Sequence, residues 1–410
     1  MSILSTAPAL DAAIAAATAD PYRNLPRVVF MAASSSTPVL YSGKGGYARL
    51  PNSRKEEDMK EKGEVIQEDS IFELYSCTKL VGTIAALQLV EQGKINLDAD
   101  ASVYLPELKA VKLFKGWEDP EEKTKPILVE NNKPISCRQL ITHSAGFVYY
   151  FNDLENIPAL AKALDIQATP YGEKATPEDL YKMPLLHEPG STWKYGTSID
   201  WLTRIVEMVS GLDLESYLQK NIFGPLGITD ISFEPNPAQM DMAFGDAADT
   251  SKPYRFAPNP PMHPQHRYGG AGLKGSAPSY LRLLRCILRG GELDGARILE
   301  QETVDSMFEP QLEGKPAQDL RDWVWKDSDP FSKRAGKSLP DSNWGLGGHL
   351  SGTGLASGRG ARSLAWSGAA VIDRERDVCY TYFTNLLPWG ADQVFDAWHE
   401  LETQLYKGLP

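Results

Sequence analysis

The sequence predicts an α/β (α+β) fold in which a central antiparallel sheet is built from both chain ends and flanked by helices, with a mostly helical part inserted between. Three observations carry this expectation. Strand-like runs stand at both ends of the chain, helical periodicity dominates the middle, and a polar turn, Asp373-Arg-Glu-Arg-Asp377, joins the last two strand-like runs as a hairpin. The expected division is a discontinuous sheet-bearing domain, residues 1–100 and 266–410, and a helical or lid domain, residues 101–265, with the site in the cleft between.

In chain order, the alanine-rich stretch 10–19 reads as a short helix. RVVFMAA (27–33) and PVLYSGKGGY (38–47) read as strands joined by a Ser-rich turn. From Ser76 the period changes, with Leu80, Ile84, Leu87 and Val90 recurring at helical steps up to a stop at Gly93. Ser136 with Gln139 forms a capping-box pattern that opens a helix stopping near Gly146. Further helices are expected at Ile199–Val209, Leu214–Ile222, Pro278–Leu288 and Gln393–Tyr406. SLAWSGAAVI (363–372) and VCYTYFT (378–384) complete the sheet. Three stretches, 115–133, 235–265 and 310–342, read as surface excursions of the kind that form lids or substrate walls.

At 410 residues with 42% hydrophobic and 23% charged side chains, the chain can bury a large core. A net charge of -12 argues against nucleic acid or an anionic membrane surface as partner. Cys77, Cys137, Cys286 and Cys379 lie far apart without metal-type spacing, which fits reduced thiols in a cytoplasmic protein. The N-terminal stretch lacks a basic leader region, and no run reaches the roughly 18 apolar residues of a membrane span, so neither secretion nor a membrane is expected.

The stretch LYSCTKLVG (74–82) places Ser76 and Lys79 in a Ser-x-x-Lys pattern. Taken alone, Ser76 is either a nucleophile or the cap of an ordinary helix, and the pattern recurs at Ser191-Thr-Trp-Lys194. Context separates the two. Ser191 follows Pro189-Gly190 in a turn, whereas Ser76 heads a helical run that sets Lys79 one turn on, on the same face. Backbone N–H groups at such a helix start can stabilise an oxyanion, and partial burial would leave some of the amine free to act as a base. Tyr195, in WKYGTS (193–198), stands at a turn where a phenol beside an active serine can take its proton. Ala365-Trp366-Ser367-Gly368-Ala369, expected on an edge strand, lets a substrate lie alongside and offers a backbone N–H. Each feature also has an ordinary reading as a cap, a packed tyrosine or a strand bearing a glycine. No Gly-x-Ser-x-Gly, P-loop, GxGxxG or HExxH is present, and the residues call for no cofactor and no metal. His143 and His187 read as structural.

Ser-x-x-Lys early, Tyr-x-(Ser/Asn/Thr) in the middle and (Lys/His/Trp)-x-Gly near the end together resemble the penicillin-recognising serine hydrolases. Within them, IFELYSCTKLVGTIAALQLVEQGKINLD (71–98), ITHSAGF (141–147), PGSTWKYGTSIDWLTRIVE (189–207) and GGAGLKGSAPSYLRLL (269–284) look like the class C β-lactamase-like branch, which includes family VIII carboxylesterases. SIDWLTRIVEMVSGLDLESYLQKNIFGPLGITDISF (198–233) is similar to fungal lovastatin-type acyltransferases. The resemblance covers nearly the whole chain and implies a β-lactamase/transpeptidase-like fold. It also implies Ser76 as acylated nucleophile, Lys79 as its general-base partner, Tyr195 as proton shuttle, and the backbone N–H groups of Ser76 and Ala369 as oxyanion hole.

Trp366 stands where the β-lactamase pattern has a lysine, and Thr197 where it has an asparagine; both changes point toward neutral esters. Aromatic residues near the motifs, including Phe147, Tyr149, Trp366 and Trp389, suggest a pocket for an apolar, ring-bearing substrate, with Thr197, Ser367 and Gly368 beside it. The reading is serine-dependent acyl transfer or ester hydrolysis through an acyl-Ser76 intermediate. The donor is a small apolar, secondary-metabolite-like ester or thioester, and the acceptor an alcohol or water. Transferases of this type often take the acyl group from an acyl carrier protein, yet no basic cluster marks a docking site, and Glu73 would repel the phosphate of its arm. The alternatives are a simple family VIII carboxylesterase, a β-lactamase or D-amino peptidase, and a non-catalytic, penicillin-sensor-like binding protein.

Overall fold

Both ends of the chain supply the main sheet. In the computed structural model, which describes residues 4–246, 249, 252–259, 266–324, 341–366, 370–388 and 390–409, its strands are β1 (Arg27–Ala33), β2 (Tyr41–Arg49), β3 (Glu64–Val65), β4 (Asn343–Trp344), β5 (His349–Leu350), β6 (Leu364–Trp366), β7 (Ala370–Asp373) and β8 (Val378–Phe383). They lie in the order β4-β5-β6-β7-β8-β1-β2-β3, all antiparallel. The two ends meet where β1 pairs with β8, Val29 opposite Phe383 and Ala33 opposite Cys379.

β1 is buried along its whole length because both faces of the sheet are covered. The strand period of two sorts its side chains. Val28, Phe30 and Ala32 join a core with α1 (Ala7–Ala17) and the C-terminal helix Asp392–Gly408, through Leu10, Ile14, Phe395 and Trp398. Val29, Met31 and Ala33 join the larger core on the opposite face. That core also contains α2 (Thr78–Glu91), α3 (Ser198–Ser210) and α4 (Ala277–Leu288). Helix α2 is buried nearly all round, which suits a helix at the centre of a fold rather than on its surface. Among the described residues, no helix is long and apolar enough to cross a membrane.

Several expectations need correction. Residues 363–372 do not form one edge strand: β6 and β7 are antiparallel neighbours with Trp366 opposite Ala370. β6 lies between β5 and β7, and the outer strand is β4. The Ser367-Gly368 dipeptide is a turn signal between the two strands, and reading the run as one strand passed over it. The helix opened by Ser136 has its capping box but covers only Cys137–Ile141, because His143 takes a left-handed backbone, φ 56°. α2 begins at Thr78, and Ser76 lies in the 3₁₀ turn Tyr75–Cys77 before it. The excursion at 115–133 is largely a hairpin, Lys112–Trp117 against Pro126–Glu130.

The C-terminal helix is tied to the sheet by a buried charge. The Arg359 guanidinium donates to the Glu402 carboxylate, with both side chains 5% exposed. Tyr380 donates to the same carboxylate oxygen at 2.7 Å and accepts from Trp398 Nε1 at 3.1 Å. Removing one partner of such a pair strands the other charge without water, at a cost of about 3–5 kcal/mol. Glu402→Ala is therefore expected to lower the unfolding free energy by about that amount in urea titrations, and Glu402→Gln by less.

Candidate active site

Ser76 is held by contacts on both sides of its turn. Upstream, Phe72–Glu73 pairs antiparallel with Lys274–Gly275, and the Leu74 N–H donates to the Leu273 carbonyl at 2.9 Å. Downstream, the Tyr280 hydroxyl donates to the Cys77 carbonyl at 2.8 Å. Between them Tyr75 adopts a left-handed φ of 41°, a conformation that costs a non-glycine residue energy and persists only where its surroundings enforce it. The result is a half-buried serine at the mouth of a central helix.

Lys79, one turn on, is 3% exposed. Its Nζ donates to Ser76 Oγ at 3.1 Å and to the Gly270 carbonyl at 2.5 Å. The ammonium also faces the rings of Tyr195 (4.9 Å) and Tyr149 (5.1 Å), so π-faces replace part of its lost hydration. Tyr195 Oη lies 2.6 Å from Ser76 Oγ and accepts from Trp366 Nε1 at 3.0 Å. Either hydroxyl of the Ser76–Tyr195 pair can be the donor, and the Lys79 bond to Ser76 Oγ keeps the two oxygens in register. Ser76, Lys79, Tyr195 and Trp366 are thus brought together from three distant parts of the chain.

The backbone fixes Tyr195 closely. Its carbonyl accepts from Tyr149 N–H (3.2 Å) and Asn152 Nδ2 (2.8 Å). A Cβ at Gly196 would lie 2.1 Å from the Phe147 carbonyl oxygen, so only glycine permits this approach. His143 packs its ring 4.8 Å from that of Tyr195 and accepts from the Gly196 N–H at 3.4 Å. Burial, and then the nearby Lys79, hold its pKa well below the usual histidine range, so it is neutral, in keeping with a structural histidine.

Sequence reasoning missed a second polar chain. Asp200, fully buried in the first turn of α3, accepts from Tyr171 Oη at 2.6 Å and from the Gly270 N–H at 2.8 Å. Tyr171 Oη in turn lies 2.6 Å from Tyr149 Oη. Burial pushes the Asp200 carboxyl up to about 6, against the pull of Lys79 and of its hydrogen bonds. The available signal was weak: an acid in a helix's first turn ordinarily complements the helix dipole. Phe151 was also missed. It is 51% exposed, stacks on Tyr149 at 5.1 Å, and forms an apolar rim with Tyr150 and Leu154.

Other expected residues fall elsewhere. Phe147 is 1% exposed and stacks on Trp201 in the core, so its side chain is structural. Thr197 is half-buried just before α3. Ser367, Gly368, Ala369 and Trp389 lie outside the described residues. Glu73 does not face a ligand: it is buried, accepts from Gln239 Nε2 at 2.5 Å and sits in the field of Lys274, so the expected repulsion is withdrawn. In the second Ser-x-x-Lys, no hydrogen bond joins Ser191 to Lys194 among the described residues, and the Lys194 N–H donates to the His143 carbonyl.

A family model described as "Beta-lactamase" matches residues 15–405. The chain is 32% identical over 354 residues to a lovastatin esterase of Penicillium rubens, covering 83% of this chain and 86% of the relative. It is 30% identical over 359 residues to a monacolin J acid methylbutanoyltransferase of Aspergillus terreus, covering 83% of each. A mutant simvastatin synthase from Aspergillus terreus superposes with a TM-score of 0.83 at 29% identity, over 98% of this chain and 95% of that one. The β-lactamase-like fold and the resemblance to fungal acyltransferases and esterases expected from sequence are both found in these matches.

Trp366→Phe keeps the ring but deletes the N–H that Tyr195 accepts. A hydrogen bond to a charged group is worth about 1.5–3 kcal/mol, and losing the donor that orients and favours the anionic Tyr195 oxygen is expected to lower kcat/KM on p-nitrophenyl butyrate roughly 10- to 100-fold with little change in melting temperature.

Proposed function

The chain belongs to the beta-lactamase family, and on that premise we propose that it is a serine acyltransferase or esterase working through an acyl-Ser76 intermediate. The carrying observation is the hydrogen-bonded set of Ser76 Oγ, Tyr195 Oη at 2.6 Å and Lys79 Nζ at 3.1 Å. In the reacting form Tyr195 is the phenolate and the Lys79 ammonium its countercharge: Ser76 Oγ attacks the donor carbonyl while the serine proton passes to the Tyr195 oxygen, leaving a neutral phenol. Lys79 and the Trp366 N–H hold these oxygens in place and offset developing charge. The tetrahedral oxyanion is received by the backbone N–H groups of Ser76 and Ala369. Collapse expels an alcohol or thiol, which leaves with the proton from Tyr195. In the second half an alcohol or water gives its proton to Tyr195 and attacks the acyl carbonyl, and Ser76 departs reprotonated.

The site draws Ser76, Lys79 and Trp366 from the sheet-bearing part (1–100 and 266–410) and Tyr149 and Tyr195 from the inserted part (101–265), which supports a cleft between two domains. Exposed Tyr150, Phe151 and Leu154, with Phe151 stacked on the buried Tyr149, form an apolar lip that suits a ring-bearing apolar substrate better than a charged one. The relatives named above include both an esterase and an acyltransferase, so both acceptors are proposed, water and alcohol. The donor is a small ester or thioester, free or on an acyl carrier protein; with Glu73 buried, its charge no longer weighs against a phosphopantetheine arm. Four free, buried cysteines support a cytoplasmic location.

Incubated with p-nitrophenyl butyrate or a butyryl thioester, the wild type is expected to gain one butyryl mass by intact-protein mass spectrometry, and Ser76→Ala none. Adding a hydrophobic cyclic alcohol distinguishes transfer, which yields its ester, from hydrolysis, which yields butyrate alone. An adduct on Ser76→Ala, or none on the wild type with any donor, would contradict the proposal.

A further inference from the structure

The lysine beside Ser76 is held by groups that meet at a residue outside the Ser-Lys-Tyr set. We propose that Asp200 is a positioning residue, which fixes the place of Lys79 and supplies its countercharge, and thereby sets the acylation rate of Ser76. This rests on the acyl-transfer reading above.

Two arms run from the Asp200 carboxylate to the lysine. In the first, Oδ1 accepts from the Gly270 N–H at 2.8 Å, and the carbonyl of that same residue accepts from Lys79 Nζ at 2.5 Å. The approach is backbone-first: a Cβ on Gly270 would lie 2.1 Å from Tyr171 Oη and 2.4 Å from Asp200 Oδ1. The preceding Gly269 N–H donates to Thr203 Oγ1 at 2.9 Å, which docks the segment on α3. In the second arm, Oδ2 accepts from Tyr171 Oη at 2.6 Å. Tyr171 Oη therefore accepts from Tyr149 Oη, 2.6 Å away, and the Tyr149 ring faces Lys79 at 5.1 Å. Of the groups that hold the ammonium, the Gly270 carbonyl and the Tyr149 ring are both anchored by Asp200.

The polarity of this chain depends on the carboxylate being charged. The groups that bear on it are Lys79 from α2, Tyr149 and Tyr171 from the loops before α3, and Tyr268 and the Gly270 N–H from the segment before α4. Burial pushes all three phenols up, so they stay neutral hydrogen-bonding groups at ordinary pH. Asp200 itself titrates at about 6. Above that pH it is an anion opposite Lys79; below it the anion is lost, and acylation should slow as pH falls through this value. Asn at 200 keeps an acceptor for the Gly270 N–H but presents an N–H to Tyr171, which reverses the Tyr171–Tyr149 bond and removes the countercharge.

The test is the single-turnover acylation rate of the full chain with p-nitrophenyl butyrate between about pH 5 and 8, read beside circular-dichroism melts. Asp200→Asn is expected to keep half-saturation within about twofold, to lower the acylation rate roughly 10- to 100-fold, and to lose the fall near the wild-type acid limb. Tyr171→Phe removes one donor from the carboxylate, so its acid limb should move to higher pH with a smaller loss of rate. A wild-type rate and acid limb in Asp200→Asn would overturn the proposal, as would a lowered melting temperature with an unchanged pH profile. If Asp200→Asn does not fold, an unmoved acid limb in Tyr171→Phe overturns it. These failures leave Ser76 acylation intact in the wild type, whereas absence of any acyl-enzyme there overturns the acyl-transfer reading and the proposal together.

Discussion

A lysine ammonium buried away from water is the constraint around which this site is built. Desolvating such a charge costs several kcal/mol unless hydrogen bonds and a countercharge replace the lost hydration. Lys79 receives those replacements from residues far apart in the chain: the Ser76 hydroxyl, the Gly270 carbonyl, two tyrosine faces and the field of Asp200. The solvation of one cation and the alignment of the serine are therefore the same set of contacts.

Other features serve that alignment. The backbone is left-handed at Tyr75, next to the serine and between two segments tied by hydrogen bonds, and at His143, fully buried under the ring of Tyr195. Gly196 and Gly270 occur where another backbone or a polar side chain approaches too closely for a Cβ. A Trp366 N–H bonded to Tyr195 links the sheet to the phenol oxygen beside Ser76, so the strand that lines the site also orients that oxygen.

How much of this could be read beforehand depended on the range of the interactions. Ser76 and Lys79 were legible because a helical turn fixes their relation locally, and Tyr195 because its stretch sits in a recognisable order with them. The sheet from both termini was legible from strand period and from the hairpin at 373–377. Asp200 and Tyr171 were not, since their meaning comes from contacts with Gly270 and Tyr149, across 70 and 22 residues of chain. Phe147 misled for the opposite reason: an aromatic beside a motif reads as a substrate contact, but its partner is the core residue Trp201. The break between β6 and β7 was legible in the Ser367-Gly368 dipeptide, which the apolar residues around it outweighed.

The central claim is that Ser76, rather than another hydroxyl such as Ser191, is the nucleophile made reactive by Lys79 and Tyr195. The most direct measurement is to label the native protein with a fluorophosphonate, digest it, and locate the phosphonylated residue by tandem mass spectrometry. Ser76 alone should carry the label, and prior saturation with a slowly turned-over ester should protect it. A label on Ser191 or elsewhere, with Ser76 unmodified, would contradict the assignment.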